Sequence, residues 1–219
     1  MNNLLEKLKG LKFPDEMVTR FFFKNDLNKR PGRVLELGCG NSNNLGLFSA
    51  YGWDCIGLDI SSELIEQGKF NFKLQGYKPA RLETIDMNHI LPNFGPIDCL
   101  LMPSSIYYVS STRAKEIMKE LGPTLKQGSF VFCRYRTLKD YRYGKGEYLG
   151  NNCFKLKIFE TSELDCLNTF YDRKSILEIL EPCNLDPRSI HFLNLSFDNF
   201  GVNNKLISNN DSIIYGIHR

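Results

Sequence analysis

The sequence predicts an α/β protein with a doubly wound, seven-stranded, mostly parallel sheet, an antiparallel last strand and helices on both faces. Short apolar runs bounded by turn residues alternate along the chain with longer segments that have the apolar spacing of helices. This strand–helix–strand order indicates a parallel sheet with right-handed crossovers. Two more apolar runs lie together at the end of the chain, which favours an antiparallel pair at one edge of the sheet.

Seven short runs are expected to be the strands. The first five are RVLELG (33–38), CIGLDI (55–60), RLETID (81–86), IDCLLM (97–102) and SFVFCRY (129–135). The last two are SIHFLNLSF (189–197) and SIIYGIH (212–218), joined by an Asn-rich turn region from Asn199 to Asn210. Each run has the length and the flanking residues that are typical of a strand.

Four helices are expected before the fifth strand. They are FPDEMVTRFFFK (13–24), NLGLFSAYG (44–52), SSELIEQGKFNFKLQG (61–76) and STRAKEIMKELGPTLKQG (111–128). Ser61 is a plausible N-cap of the third helix, and Gly76 is a plausible stop. In the fourth, Ile117, Leu121 and Leu125 lie four residues apart on one face.

The chain is expected to be a single domain of residues 1–219, with a helical cap at residues 1–30. Residues 136–170 have no strong helical period, contain three glycines near their start and alternate later in FKLKIF. We interpret this segment as an inserted hairpin or lid after the fifth strand. A last helix is expected to begin near Asp172 and to be stopped by Pro182.

The composition is that of an ordinary globular protein, with 42% hydrophobic and 24% charged residues. A net charge of +3 does not favour a nucleic-acid-binding surface spread over the whole chain. The N-terminal stretch does not have the pattern of a signal peptide, and no window is apolar enough to span a membrane. We therefore expect a soluble, cytoplasmic protein that is a monomer or a homodimer and has no nucleic-acid or membrane partner.

The seven cysteines predict reduced thiols. Their number is odd, no two have C-x-x-C spacing, and four lie in or beside strand-like runs. A zinc site is not expected, because there are only three histidines and none is near a cysteine pair. No metal ligands are predicted.

The stretch RVLELGCGNSNN (33–44) is the first candidate site. It joins a strand to a helix through Gly38 and Gly40, where backbone can approach a ligand closely. In a doubly wound sheet, this first junction is where cofactors bind. Asp59 ends the second strand, and its carboxylate can accept the hydrogens of both ribose hydroxyls. Both adenosyl and dinucleotide cofactors carry that ribose.

The third glycine position distinguishes the two cofactors. A dinucleotide fingerprint that starts at Gly38 requires glycine at position 43, where this chain has Asn43. The polar NSNN segment suits hydrogen bonding to a zwitterion, and the negative charge of Glu36 suits an ammonium or a sulfonium. An NAD(P)-dependent oxidoreductase is the alternative interpretation.

Taken together, these motifs resemble those of the class I S-adenosylmethionine-dependent methyltransferases. VLELGCGNSNN is similar to the first motif of that family, [E/D]-x-G-x-G, and GLDIS to the second; TIDMN is similar to the third motif, and IDCLLMPSSIYYV to the motif of the fourth strand. The resemblance covers about residues 31–135. Many members carry a third glycine two residues after the second, where this chain has Ser42.

The resemblance implies S-adenosyl-L-methionine as the cofactor and a set of residues that bind it. They are Glu36, Gly38, Cys39, Gly40, Asn44, Asp59, Ile60, Asp86, Met87, Pro103 and Ser104. Within this set, Asp59 would bind the ribose and Asp86 the adenine amino group. Methyl transfer needs alignment and exclusion of water more than acid–base chemistry.

Tyr107 and Tyr108 are the catalytic candidates, because they lie just after the fourth strand, where the family faces the transferred methyl group. Tyr108, Arg134 and Arg136 are candidates for binding the acceptor, and the basic segment that comes next could hold an anionic one. MPSS is not the [D/N/S]-P-P-[Y/F/W] motif of nucleic-acid amino-methyltransferases, so a small-molecule acceptor is favoured. A binding protein without turnover is a further alternative.

Overall fold

The structure is a computed structural model that describes residues 3–219. Its contacts divide the chain into two compact units. The first unit contains the chain up to Pro103 together with Thr124–Phe130, and the second contains Ser104–Pro123 and Val131–Arg219.

Six helices and ten strands are numbered here in chain order. The helices are α1 (Leu4–Lys7), α2 (Glu16–Lys24), α3 (Asn43–Ala50), α4 (Ser62–Leu74), α5 (Ser111–Leu121) and α6 (Arg173–Leu180). The strands are β1 (Arg33–Leu37), β2 (Asp54–Asp59), β3 (Arg81–Thr84), β4 (Ile97–Met102), β5 (Leu125–Arg136), β6 (Gly146–Gly150), β7 (Cys153–Leu156), β8 (Leu167–Thr169), β9 (His191–Phe200) and β10 (Leu206–Ile217).

The predicted seven-stranded sheet is confirmed, in the order β3-β2-β1-β4-β5-β10-β9. β1 is parallel to both of its neighbours, with Val34 opposite Cys55 of β2 and Cys99 of β4. β9 and β10 are antiparallel, as the two closing runs predict. The carboxyl ends of the parallel strands therefore lie at one edge, where α/β proteins bind ligands.

The predicted inserted hairpin is present as β6 and β7, and β8 extends it to three antiparallel strands. Asn151 and Asn152 form its turn, both with positive φ (49° and 57°), a conformation that asparagine tolerates. Phe154 and Leu156 of β7 pack in one buried cluster with Phe170, the residue that follows β8.

Three helices begin at side-chain caps, and those at Ser61 and Asp172 agree with the predicted starts. The Asp15 carboxylate accepts the N–H of Met17 at 2.8 Å and begins α2. The Ser61 hydroxyl accepts the N–H of Leu64 and begins α4. A reciprocal capping box at Asp172 begins α6.

The expected helix 111–128 is too long by seven residues. α5 ends at Leu121, and Leu125 is the first residue of β5 instead of part of the helical face. Gly122 marks the end because a methyl group there would lie 2.4 Å from the carbonyl oxygen of Pro182. This close approach needs glycine, and Pro123 then disfavours further helix.

The expected Asn-rich turn is also too long. β9 extends to Phe200 and β10 begins at Leu206, so only residues 201–205 connect them. Within the hairpin, Asn210 donates to the Ser196 hydroxyl, and Asn209 donates to the Phe197 carbonyl. These cross-strand bonds satisfy side chains that in isolation favour turns.

α2 is attached to the first unit by aromatic packing. Phe22 lies against Phe48 of α3, with ring centroids 4.7 Å apart, and Phe48 lies against Trp53 at 5.2 Å. The Trp53 indole donates to the carbonyl of Leu27 at 3.0 Å. These contacts place α2 beside the C-terminal part of α3.

The seven cysteines are free thiols, and all except Cys166 are buried. Among residues 3–219 there is no group of three or more His, Cys, Asp or Glu arranged to hold a metal ion. Of the helices described, none has the length and apolarity needed to cross a membrane.

Candidate cofactor and acceptor sites

The loop between β1 and α3 has left-handed backbone at three positions. Gly38 has φ 68°, Gly40 has φ 52° and Ser42 has φ 63° with ψ 29°. The first two of these positions therefore favour glycine because of their backbone conformation. The turn is closed by the N–H of Ser42, which donates to the Cys39 carbonyl at 2.8 Å.

Ser42 is in the left-handed region that favours glycine, which explains the residue that the family often has there. Its side chain is buried, and its hydroxyl contacts the Cys39 sulfur at 3.7 Å. Gly68 of α4 provides the space: a methyl group at Gly68 would lie 2.7 Å from the Ser42 oxygen. The loop thus keeps its shape with a serine.

Glu36 is a buried carboxylate with one unused oxygen. It is 1% exposed, and its Oε1 accepts a hydrogen bond from Asn44 Nδ2 at 2.7 Å. Its Oε2 has no hydrogen-bond partner among the described residues. Burial, helped by the charges of Asp15 and Asp59, raises the pKa of Glu36 to about 8 despite the bond from Asn44.

Asp59 is held at the end of β2 by two backbone donors. Its Oδ2 accepts the N–H of Gly40 at 2.8 Å, and its Oδ1 accepts the N–H of Ser61 at 2.9 Å. The structure therefore brings the predicted ribose ligand directly against the glycine loop. Ile60, the next residue, is 67% exposed.

Asp86 lies beyond β3, beside the end of β2. The N–H of Ile85 donates to the Asp59 carbonyl at 2.9 Å, which carries the strand pairing up to the residue before Asp86. One Asp86 oxygen accepts the backbone and side-chain N–H groups of Asn88. Met87 is half-buried, Pro103 is buried and Ser104 is exposed.

The NSNN side chains, which are predicted to suit a zwitterion, make hydrogen bonds within the protein. Asn41 donates to the carbonyls of Lys9 and Leu11, each at 2.7 Å, and Asn43 donates to that of Phe13 at 2.8 Å. These amides hold the N-terminal segment, which sequence motifs alone could not indicate.

Asn44 connects the same segment to Glu36. Its Oδ1 accepts the N–H of Asp15 at 2.8 Å while its Nδ2 donates to Glu36. Both ends of the amide are therefore used within the protein. Asn44, a predicted cofactor ligand, is placed to orient Glu36.

The acceptor candidates lie in the second unit. Tyr107 and Tyr108 form a short 3-10 turn, with ring centroids 4.7 Å apart. Arg136 lies over the ring of Tyr107, 4.3 Å from its centroid. Burial raises the pKa of both tyrosines, so their hydroxyls stay protonated at neutral pH.

Glu163, which no sequence motif indicates, binds three of the groups around this turn. Its Oε1 accepts from the Tyr108 hydroxyl at 2.8 Å and from Arg136 at 2.8 Å. Its Oε2 is bonded to Arg142 Nε. Nothing in the sequence marks Glu163, which is 27 residues beyond Arg136 in the chain.

The predicted basic segment is neutralised by acids. Besides Glu163, Asp140 pairs with Arg142 at 3.0 Å. Asp211 is buried, with Arg134 among the charges that act on it, and burial raises its pKa. Glu163 and Asp211 are far from the basic segment along the chain, so the local sequence does not show that they neutralise it.

The family is established by comparison with known proteins. Residues 6–190 match the family described as a methyltransferase domain. The chain belongs to the class I S-adenosylmethionine-dependent methyltransferases. The predicted resemblance, the enzyme class and S-adenosylmethionine as cofactor are thereby confirmed, and the NAD(P)-dependent alternative is set aside.

Solved structures share the methyltransferase fold at low identity. A methyltransferase from Methanosarcina mazei is 16% identical with a TM-score of 0.68 over 90% of this chain and 98% of that one. One from Clostridium acetobutylicum is 18% identical, with a TM-score of 0.61 over 92% and 91%. The N-terminal domain of EvdMO1, solved with S-adenosylhomocysteine bound, is 17% identical, with a TM-score of 0.64 over 94% and 83%. No curated protein sequence matches this methyltransferase significantly.

Proposed function

We propose that this methyltransferase transfers the methyl group of S-adenosylmethionine to a small-molecule acceptor by in-line displacement. Catalysis would come mainly from positioning. Bound S-adenosylmethionine supplies a methyl group that is already activated on a sulfonium, so the protein has to align the acceptor and exclude water. The buried carboxylate of Glu36 carries the proposal.

The residues of the first unit fit the cofactor because of that carboxylate. A buried acid with an unpartnered oxygen is costly unless it meets a cation or a donor. The ammonium group of the cofactor's methionine moiety would provide both. We therefore assign Glu36 to the ammonium, with Asn44 holding Glu36 in place.

The other cofactor contacts are assigned from the strand ends. Asp59 would bind the ribose hydroxyls and keep Gly40 close through the N–H that it already accepts. Gly38, Cys39 and Gly40 would present their backbone to the cofactor. The remaining contacts are assigned to Ile60, Asp86, Met87, Pro103 and Ser104.

Tyr107 and Tyr108 are proposed to align the acceptor. Their raised pKa values mean that the phenols would donate hydrogen bonds or pack against the acceptor, and would not serve as bases at neutral pH. Positioning is then the role that their chemistry supports best. Arg134 and Arg136 remain candidates for acceptor binding.

The residues directly after β4 support a small-molecule acceptor. Pro103 is succeeded by Ser104, and the Pro-Pro-aromatic sequence of nucleic-acid amino-methyltransferases is absent at this place. The cytoplasmic location and the monomeric or homodimeric state stay predictions.

Calorimetry and an acceptor panel test the proposal. We expect S-adenosylmethionine and S-adenosylhomocysteine to bind and NAD not to bind. We also expect at least one class of small molecule to trigger release of S-adenosylhomocysteine. Binding without release across oxygen, nitrogen, sulfur and carbon nucleophiles would favour a cofactor-binding protein without turnover.

A further inference from the structure

The Glu163 side chain occupies a site whose hydrogen-bond donors suit a carboxylate. One of its oxygens accepts from the Tyr108 hydroxyl and from Arg136, each at 2.8 Å, while the other is bonded to Arg142 Nε. Two guanidinium groups and a phenol around one carboxylate form a strong, geometrically specific anion site. Two of these three donors, Tyr108 and Arg136, are among the three residues that the sequence predicts to bind the acceptor.

The same cluster has buried donors that Glu163 does not use. Arg136 Nε and Asn168 Nδ2 have no hydrogen-bond partner among residues 3–219. Arg136 is 6% exposed, Asn168 is fully buried, and Arg136 NH1 bonds to Asn168 Oδ1. Buried unsatisfied donors are costly, so this cluster can hold more acceptor oxygens than Glu163 supplies.

Glu163 is carried by a loop with a narrow base. Between β7 and β8, Leu156 donates to the Cys166 carbonyl and accepts from the N–H of Asp165, both at 2.9 Å. The residues between these bonds form a compact Ω-type loop. Its Phe159 and Leu164 are 77% and 40% exposed, whereas Ile158 is buried. Little apolar surface therefore opposes movement of the part of the loop that carries Glu163.

We propose that Glu163 stands in for a carboxylate of the methyl acceptor, which displaces it from Tyr108, Arg136 and Arg142. This inference rests on the proposed function for the role of the site and goes beyond it by naming the acceptor as a carboxylic acid. Exchange of one carboxylate for another leaves the charge of the cluster unchanged. Burial acts to raise the pKa of Glu163, but Arg136 and Arg142 outweigh it and hold that pKa low, so the charge persists at neutral pH.

Benzoate and its uncharged counterpart benzamide are the probes, and Glu163→Gln is the main variant. The control variant is Glu160→Gln, since Glu160 is on the same loop but pairs with Lys205. We expect Glu163→Gln to bind benzoate at least about tenfold more tightly than the wild type, because an internal competitor is gone. Its affinity for benzamide, and both affinities of Glu160→Gln, should stay at wild-type values.

A second measurement uses the unmodified protein and decides the matter if Glu163→Gln does not fold. Saturating benzoate should speed hydrogen exchange of the amides of residues 157–165, and benzamide should not. Unchanged benzoate affinity in a folded Glu163→Gln, or an equal gain for benzamide, overturns the proposal. If Glu163→Gln does not fold, the wild type decides: unchanged hydrogen exchange of residues 157–165 with saturating benzoate overturns the proposal. Neither readout needs methyl transfer, and S-adenosylhomocysteine binding is measured separately, so failure here is distinguishable from failure of the proposed function.

Discussion

The hydroxyl of Ser42 fills the space that a side chain at Gly68 would need. A methyl group at position 68 would lie 2.7 Å from the Ser42 oxygen and 3.1 Å from Leu82 Cδ1. The glycine on α4 therefore leaves room for the serine that the cofactor loop has in place of the family's glycine.

This relationship predicts a measurable coupling. Gly68→Ala should crowd Ser42, at a cost of about 1–3 kcal/mol that the better helix propensity of alanine offsets by about 1 kcal/mol. In a Ser42→Gly background the crowding should fall, with a coupling of about 1 kcal/mol in a double-mutant cycle of urea unfolding. Additive effects of the two changes would mean that the packing is not tight.

The Asn44 amide should contribute more to cofactor binding than the amide of Asn43 does. Asn44→Ala removes the bond to Glu36 and should weaken S-adenosylhomocysteine binding by about 1 kcal/mol, measured by calorimetry. Asn43→Ala is the matched control, because the Asn43 amide donates to the carbonyl of the exposed Phe13 instead of to Glu36. Equal losses would assign both residues to holding the N-terminal segment.

The raised pKa of Glu36 predicts that the free energy of unfolding falls as the pH rises. Its pKa is raised from 4.5 to about 8 in the folded protein. The folded state then holds the proton more tightly, and this contribution is complete below the unfolded pKa and is lost as the pH rises through about 8. Glu36→Gln, a neutral group of the same shape, should flatten the pH dependence of urea unfolding. A slope that survives the substitution would assign it to another group.

Cofactor binding should release a proton from the same residue. Pairing with an ammonium favours the ionised form of Glu36, so below its pKa binding and deprotonation are linked. Calorimetry of S-adenosylhomocysteine binding at neutral pH, in buffers of different ionisation enthalpy, should show proton release for the wild type and none for Glu36→Gln. Release of the same size in both proteins would contradict this assignment.

Asp59→Ala should weaken cofactor binding by roughly 1.5–3 kcal/mol, the range for hydrogen bonds to a charged group. Asp54→Ala is the control, since Asp54 is at the opposite end of β2 and pairs with Arg33. Unchanged affinity of Asp59→Ala in calorimetry would mean that Asp59 is not the ribose ligand.

Arg136→Ala should reduce stability strongly, because it leaves the buried Glu163 with one guanidinium fewer. Removing one partner of a buried ion pair costs about 3–5 kcal/mol, and the retained bond to Arg142 favours the lower end. Lys139→Ala, at an exposed position of the same segment, should change the free energy of unfolding by less than about 0.5 kcal/mol. A stability loss that is equally small at Arg136 would show that the cluster is open to solvent.

The sequence by itself determined the sheet, the glycine loop and the family. These are local properties: apolar runs give strands, caps start helices, and Gly38 and Gly40 meet a conformational need of the turn that joins a strand to a helix. Asp59 is predicted from its place at a strand end. The ends of α5 and of the β9–β10 turn were predicted less well, because a contact at Gly122 and cross-strand bonds of Asn209 and Asn210 decide them.

Only the tertiary structure decided which polar groups already have hydrogen-bond or ion-pair partners within the protein. Asn41, Asn43 and Asn44 are close together in the cofactor motif, yet they bond to an N-terminal segment about 30 residues away. Arg136 and Arg142 belong to a basic stretch of sequence, yet Glu163 neutralises them from a distant loop. How strongly a charged group or an amide can interact with a ligand depends on its partners and its burial. Contacts between residues far apart in the chain determine both.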